Sequence, residues 1–436
     1  MWGGFIFMST ISVNHEGQAK NSVGQILLAS LIGTTIEFFD FYVFATAAAL
    51  LFPVLFFPKG DPTVALLSSF AIFSAAFFAR PLGSIIFGHY GDKVGRKVTL
   101  VAALLTMGVS TVLIGFLPTY ETIGWLAPLL LTLCRFGQGL GLGGEWGGAV
   151  LLATENAPKE KRGWYAMFPQ LGAPIGLILS AGTFWVMWNF LDESQRYSWG
   201  WRIPFIASIV LIVIGLWVRL SISETPEFKQ AIEREERVKV PIVDVLTKYS
   251  RTLFLGTFAG MTTFVLFYLV TAYLLSYSSH HLKLSFGEAL EVQMIGAVAF
   301  GILIPFAGKI SDYIGRRKLM ILVTIFIGLF SFVVPYLLDG GVWGVFGLSI
   351  LGLGLMGLTY GPIGAALASP FPTAIRYSGA SMTFNLAGIV GASFAPYIAE
   401  TLVQNFGVKY IGYYLLASSF ISLLCFVGFT DKEISG

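Results

Sequence analysis

Read in windows of about 19 residues, the chain alternates long apolar runs with short polar breaks. The runs fall at 23–51, 63–88, 98–118, 124–153, 164–190, 203–220, 252–277, 287–311, 318–337, 342–368, 377–403 and 409–429. Each is about as long as, or longer than, the length that a helix rising about 1.5 Å per residue needs to cross a hydrocarbon core about 30 Å thick, and several are long enough to tilt. The pattern predicts an all-α membrane protein of twelve transmembrane helices in two pseudo-symmetric six-helix bundles. Its expected organisation is a cytoplasmic tail at 1–22, a first bundle at 23–220, a cytoplasmic linker at 221–251, a second bundle at 252–429 and a cytoplasmic tail at 430–436. In the linker, Thr225 and Pro226 form a helix start, and the charged run after them reads as a solvated helix along the membrane surface.

Composition agrees with the pattern. Hydrophobic residues make up 56% of the 436 and charged residues 12%, about half the charged share of soluble domains. Lys and Arg then set the orientation. With the N-terminus inside, the inner segments hold 20 of them and the outer segments five, which places both termini in the cytoplasm; the expected location is a bacterial or archaeal cell membrane. Cys134 and Cys425 both sit in apolar runs, far apart in sequence, so they read as packing residues, with no disulfide framework or metal site. No basic block interleaved with aromatics suggests nucleic acid. The opening "MWGGFIFM" lacks the basic start and the length of a signal peptide, and Met8 is a second candidate start.

An internal repeat links the halves. "GHYGDKVGRK" at 88–97 follows the second run and "GKISDYIGRRK" at 308–318 follows the eighth, with Asp92 and Asp312, Gly95 and Gly315, and Arg96 and Arg316 each 220 apart. "PKEKRG" at 158–163 and "PTAIRYSG" at 372–379 form a second pair. Repeated halves with interrupted helices suit a carrier whose central site opens alternately to the two sides.

The G-x-x-x-D-x-x-G-R-[KR] loop in both halves resembles the signature of the major facilitator superfamily. "IEFFDFY" at 36–42, "FFARPLG" at 77–83, "RFGQGLGLGGEWGGA" at 135–149, "SWGWRIPF" at 198–205 and "SETPEF" at 223–228 together resemble its metabolite:proton symporter family. The resemblance implies a proton-coupled importer of a small polar metabolite, an organic acid or, alternatively, a zwitterionic osmolyte such as proline or betaine. It also implies a cytoplasmic gate. Gly88, Asp92, Gly95, Arg96, Glu155 and Arg162 match gate positions in the first half, and Asp312, Gly315, Arg316 and Arg376 in the second. Ser369 departs from the pattern, standing where related sequences often carry an acid.

The apolar runs carry ionisable residues that need a reason, since a charge at the bilayer centre costs about 2.5–3.5 kcal/mol even on the lenient insertion scale. In the first half these are Glu37, Asp40, Arg80, Arg135 and Glu145. Counting residues from the cytoplasmic helix ends puts Asp40 and Arg135 at about 25 Å, Glu37 at about 20 Å, and Arg80 and Glu145 near 11 Å. Two pairs follow as expectations: Asp40 with Arg135, and a structural pair of Arg80 with Glu145, leaving Glu37 with no partner at its depth. The carboxylates are expected to carry the proton, with Arg135 either their counter-ion or the anchor of a substrate carboxylate; the superfamily resemblance assigns Asp40 and Arg135 to coupling. The competing reading keeps Glu37 or Asp40 permanently ionised in a network that only holds the helices together.

Gln138 lies on the same helix stripe as Arg135, and Gln170, Tyr268, Tyr360 and Asn385 are further candidate substrate contacts. Gly139, Gly143 and Gly147, four apart, read as close helix packing, and Pro169, Pro174 and Pro396 as kinks. No P-loop, nucleophile elbow, HExxH or Cys/His cluster is present, which argues against an enzyme and leaves the proton gradient as energy source with no cofactor. A metabolite sensor without net transport is the remaining alternative. The expected partners are metabolite, protons and the bilayer, with the chain working as a monomer.

Overall fold

The computed structural model describes residues 23–94, 96–155, 157–221, 241–372 and 375–435. The helix start at Thr225 and most of the linker lie outside them. Among the described residues there is no strand, and eleven helices are long and apolar enough to cross a membrane. They are spans 1 (Val23–Leu50), 2 (Pro62–Phe87), 3 (Val98–Phe116), 4 (Leu126–Leu151), 5 (Arg162–Phe190), 6 (Gly200–Leu220), 7 (Ser250–His280), 8 (Phe286–Ile314), 10 (Gly341–Ala368), 11 (Arg376–Phe406) and 12 (Lys409–Gly428). The twelfth is span 9. It runs as Arg316–Phe330, unwinds over Ser331–Val333 and resumes as Val334–Asp339 with Pro335 near its start, so neither piece is long enough alone.

Several spans break where the sequence gives the backbone a reason. Span 5 is interrupted at Leu171, between Pro169 and Pro174. Span 11 passes through a π-helical turn at Ile389–Ser393 before restarting at Ala395 with Pro396 in its first turn. Span 7 has a π-helical turn at Leu269–Tyr273, which no proline marks. Span 4 ends one helix at Gly143 and starts another at Trp146, inside the Gly-rich stretch. Spans 8 and 9 join at Gly315, whose φ of +91° is readily available only to glycine.

Small residues bring the backbones of spans 2 and 4 together. A Cβ on Gly139 would lie 2.2 Å from the Ala76 carbonyl oxygen, and one on Gly143 would lie 2.0 Å from that of Arg80. Gly147 faces the second half instead, against the Ser381 hydroxyl. The halves meet along spans 1 with 7, 2 with 11, 4 with 11, and 5 with 8 and 10. They touch at every level. On the face that carries the 308–318 loop, the Asp312 carboxylate accepts the Gly163 and Trp164 N–H groups at 2.8 and 3.0 Å. In the middle, the Trp146 ring stacks on Phe384 at 3.6 Å. At the far face Trp185 Nε1 donates to Glu291 at 2.8 Å and Trp188 packs on Phe286.

Candidate functional site

Among the described residues, five charged side chains at the core of the first half are buried, Glu37, Asp40, Arg80, Arg135 and Glu145, and a sixth that the sequence reading did not count lies largely buried against them. The addition is Arg219 at the end of span 6. Its Nη2 lies 3.2 Å from Glu37 Oε1, and its Nη1 contacts both Glu145 Oε1 and the Leu100 carbonyl oxygen. One guanidinium therefore ties spans 1, 3, 4 and 6 together and serves two carboxylates. This corrects two expectations: Glu37 is not partnerless, and Glu145 pairs with Arg219, not Arg80. Arg219 reaches them because a long side chain at a helix end can turn inward as readily as out to water.

Arg80 is buried and makes no ion pair or hydrogen bond among the described residues. Its Cζ lies 4.4 Å from the Phe41 ring centroid and 4.6 Å from that of Phe77, and its Nη1 would be 3.7 Å from a Cβ on Gly388, so it reaches the seam with span 11. Arg135 is fully buried over Phe41, Phe44 and Phe73, at 4.0, 4.2 and 4.8 Å. The two guanidinium carbons thus flank or share the Phe41 ring.

Asp40 and Arg135 do not form the expected direct pair. They are the ends of a chain of hydrogen bonds: Arg135 Nη1 donates to Gln138 Oε1 (2.9 Å), Gln138 Nε2 to Thr111 Oγ1 (2.8 Å), and Thr111 Oγ1 to Asp40 Oδ2 (3.1 Å). Asp40 Oδ1 and Arg135 Nη2 have no hydrogen-bond partner among the described residues. Gln138 is accordingly a bridge between the two charges. A Thr hydroxyl can turn its one proton elsewhere, and Met107 O lies 3.0 Å away as a second acceptor, so Thr111 is the point at which this chain can break.

Gln170 sits at the seam, where its Nε2 donates to the Tyr360 carbonyl oxygen and its Oε1 accepts from Trp146 Nε1, each at 3.1 Å. Asn385 Nδ2 donates to Ser84 Oγ (2.7 Å) and the Gly143 carbonyl oxygen (3.3 Å). Both are thus engaged in joining the halves in this conformation. Tyr268 packs its ring on Phe73 and Phe77, and Tyr360 on Phe38 and Phe300, which puts second-half aromatics over the Arg80 and Arg135 cluster.

At the basic-loop face, Gly95 and the side chains of Asp92, Arg96 and Glu155, with the surroundings of Gly88, lie outside the described residues. Arg162 opens the helix whose first N–H groups Asp312 caps from the other half. Arg316 Nη1 donates to the Ser369 hydroxyl (3.0 Å) and the Ile434 carbonyl oxygen (3.3 Å), so the hydroxyl stands in for the missing acid, and Arg376 Nε donates to the Phe371 carbonyl oxygen. Because Asp312 supplies a negative charge to a helix N-terminus across the seam, Asp312→Ala is expected to weaken closure at this face about tenfold. Alkylation of a Ser311→Cys thiol, which that seam covers, should speed up correspondingly; an unchanged rate would show that Asp312 holds nothing shut.

Sequence reasoning also missed Glu400, buried in span 11 with Gln404 Nε2 at 2.9 Å and His281 Nε2 at 3.3 Å. Its place near the end of a run, and His281 in a loop, gave no sign that the two would meet.

The chain matches the sequence profile of the Major Facilitator Superfamily over residues 30–392. The chain belongs to this superfamily. It is 52% identical over 422 residues to the inner membrane metabolite transport protein YhjE of Escherichia coli K12, covering 95% of this chain and 96% of that one. It is 34% identical both to the E. coli K12 shikimate transporter, covering 93% and 94% of the two chains, and to the E. coli K12 proline/betaine transporter, covering 98% and 86%. Among solved structures, that of a D-xylose-proton symporter superposes with a TM-score of 0.74 at 17% identity, covering 95% of this chain and all of that one, which establishes the fold. The protein is a multi-pass membrane transporter of metabolites and not an enzyme.

Proposed function

We propose that this transporter couples protons to the import of a small organic anion, with both termini cytoplasmic, working as a monomer without a bound cofactor. The observation that carries this reading is the separation of charge at its core. Glu37 and Glu145 share one guanidinium, while Arg80 and Arg135 have no carboxylate within ion-pair distance among the described residues.

Burying an unpaired cation costs several kcal/mol after relaxation, whereas contact with an aromatic face returns about 2 kcal/mol. Phe41, Phe44, Phe73 and Phe77 therefore leave Arg80 and Arg135 short of compensation, and an incoming carboxylate supplies it. Arg80 moves on this reading from a structural pair to a substrate anchor beside Arg135, with Tyr268 and Tyr360 closing the site from the second half. The acids on the far side of span 1 take the proton. All six charges balance when ionised, so each negative charge brought in by substrate is offset by a proton on Asp40 or on the Glu37–Glu145 pair. The relative named a shikimate transporter fits an anionic substrate.

A second reading has one observation in its favour. Phe38, Tyr42, Phe267, Phe300 and Tyr360 form a continuous aromatic cluster across the seam, suited to a quaternary ammonium, and one relative is named a proline/betaine transporter. Purified protein in liposomes with an internal pH dye separates the two, tested on mono-, di- and tricarboxylates, shikimate, proline and betaine. A carboxylate should drive dye acidification. Asp40→Asn and Glu37→Gln should abolish that signal and keep counterflow exchange, while Arg80→Gln and Arg135→Gln should lower uptake at least about tenfold, the loss expected for one charge-assisted contact. Uptake of betaine unaffected by the arginine variants would overturn the anion assignment, and normal proton movement in both acid variants would overturn the coupling assignment.

A further inference from the structure

The break in span 4 sits beside the Glu37–Arg219–Glu145 cluster, and its loose backbone is held from the other half. Between the helix ending at Gly143 and the one starting at Trp146, the ladder narrows to two long bonds, Gly144 N to the Gly141 carbonyl oxygen at 3.5 Å and Glu145 N to that of Leu142 at 3.4 Å. The carbonyls of Gly143 and Gly144 look outward from the helix instead. Asn385 Nδ2 donates to the first and the Tyr377 hydroxyl to the second, both from span 11. Ser84 of span 2 donates to Gly143 as well and receives the other Asn385 contact. In an apolar medium a backbone carbonyl without a donor is costly, so the break in this form depends on span 11, which gives the Gly144 carbonyl its cross-seam donor and adds to Ser84 at Gly143.

Glu145 is the residue that follows these two carbonyls, and its Oε1 holds Arg219. We infer that the span 4 break is the mechanical link between closure of the two halves and the proton-bearing cluster, with Tyr377 and Asn385 as the positioning residues that transmit it. When span 11 seats, its two donors fix the break and aim Glu145 at Arg219. When the halves part, Gly144 loses the Tyr377 donor and Gly143 keeps only Ser84, the helix rewinds or shifts to satisfy the Gly144 carbonyl, and Glu145 leaves the guanidinium. Protonation runs the same cycle backwards: a proton on the cluster loosens Glu145 from Arg219 and so weakens the seat for span 11. The ionisable groups on span 4 and the elements packed round its break include Glu37, Asp40 and Tyr42 on span 1, Arg80 on span 2, Arg135 on span 4 itself, Arg162 and Tyr165 on span 5, Arg219 on span 6, Tyr360 on span 10 and Arg376 and Tyr377 on span 11. Of these, Arg219 contacts Glu145, and Glu37 faces it across the shared guanidinium. Asn385, expected from the sequence to touch substrate, becomes part of the coupling.

The inference rests on the reading of this cluster as proton-bearing, and the test keeps the two apart. Spin labels at Glu160→Cys and Lys309→Cys, exposed on the two halves at the same face, report the closed fraction by pulsed dipolar spectroscopy in a Cys134→Ala, Cys425→Ala background. In the otherwise unaltered protein the closed-to-open ratio should change with pH, and Glu145→Gln should flatten that response. Tyr377→Phe with Asn385→Ala should lower the ratio about tenfold, as the loss of two hydrogen bonds implies, and flatten the pH response too. A double variant that keeps both ratio and pH response, or that lowers the ratio but keeps the pH response, overturns the link. A pH-independent ratio before any change at the cluster overturns the proton reading instead. Should the double variant fail to fold, Tyr377→Phe and Asn385→Leu, made singly, carry the same comparison, since each removes a donor, adds no titrating group and leaves the side-chain size nearly unchanged.

Discussion

Arg219→Gln is expected to abolish proton-driven accumulation and to destabilise the protein by about 3–5 kcal/mol, the range for removing one partner of a buried ion pair. The loss is larger than for any other single charge here, because Arg219 serves Glu37, Glu145 and the Leu100 carbonyl at once. Two carboxylates would then stand in an apolar core without a cation. Acidifying the medium supplies the protons that neutralise them, so the destabilisation should shrink toward low pH. Arg219→Lys should recover little, since one ammonium cannot match the planar fork that spans two acids. The discriminating result is the double variant Arg219→Gln with Glu145→Gln, which removes one charge of each sign. It should regain a large part of the stability lost in Arg219→Gln, with a coupling energy of about 1–3 kcal/mol in the cycle. Thermal unfolding in detergent at two pH values measures this; additive losses would mean that the contact between Arg219 and Glu145 contributes nothing.

That residue also marks where the sequence stopped being legible. The spans, the breaks beside Pro169 and Pro174 and the close packing at Gly139 and Gly143 all follow from period, length and residue size, and the structure places them as expected. Depth along a helix was legible too: Asp40 and Arg135 belong to one connected network. The direction in which each side chain points round its helix was not. Depth alone cannot tell a direct pair from one spanned by Gln138 and Thr111. Treating span 4 as one straight helix also misjudged Glu145, because the break before Trp146 re-aims the residues on its loop side. Arg219 was counted among the loop cations that set orientation, yet it lies inside the last turn of span 6, level with two unmatched acids. An arginine at such a position, with acids in excess nearby, is the signal that could have found it. Gln170 and Asn385 were expected as substrate contacts, but they join the halves in this structure, and which groups they meet depends on how the halves dock, which no local pattern encodes.

Gly143→Val is expected to be the most disruptive change that alters no charge. A Cβ there would lie 2.0 Å from the Arg80 carbonyl oxygen and 2.9 Å from the Arg80 Cα, both backbone atoms that cannot rotate away. The same holds in reverse at Gly83, where a Cβ would lie 2.0 Å from the Leu140 carbonyl oxygen. Spans 2 and 4 are therefore in backbone contact from both directions, as small residues in membrane helices permit. Valine must push them apart, and overpacking of this kind costs about 1–3 kcal/mol or more. Function should suffer more than stability, because the two helices carry Arg80 on one side and Arg135 and Glu145 on the other. Separating them moves the two arginines proposed to bind substrate relative to each other and pulls Gly143 away from Asn385. Uptake should fall at least about a hundredfold, which corresponds to about 2.7 kcal/mol at the transition state. Gly182→Ala is the control, since its nearest neighbour would be the Met294 sulfur at an ordinary 3.8 Å. If Gly143→Val reaches the membrane, stays monodisperse and transports like the Gly182→Ala control, the spacing of spans 2 and 4 does not set the geometry of the anion site. The arginines must then be positioned by their aromatic neighbours alone.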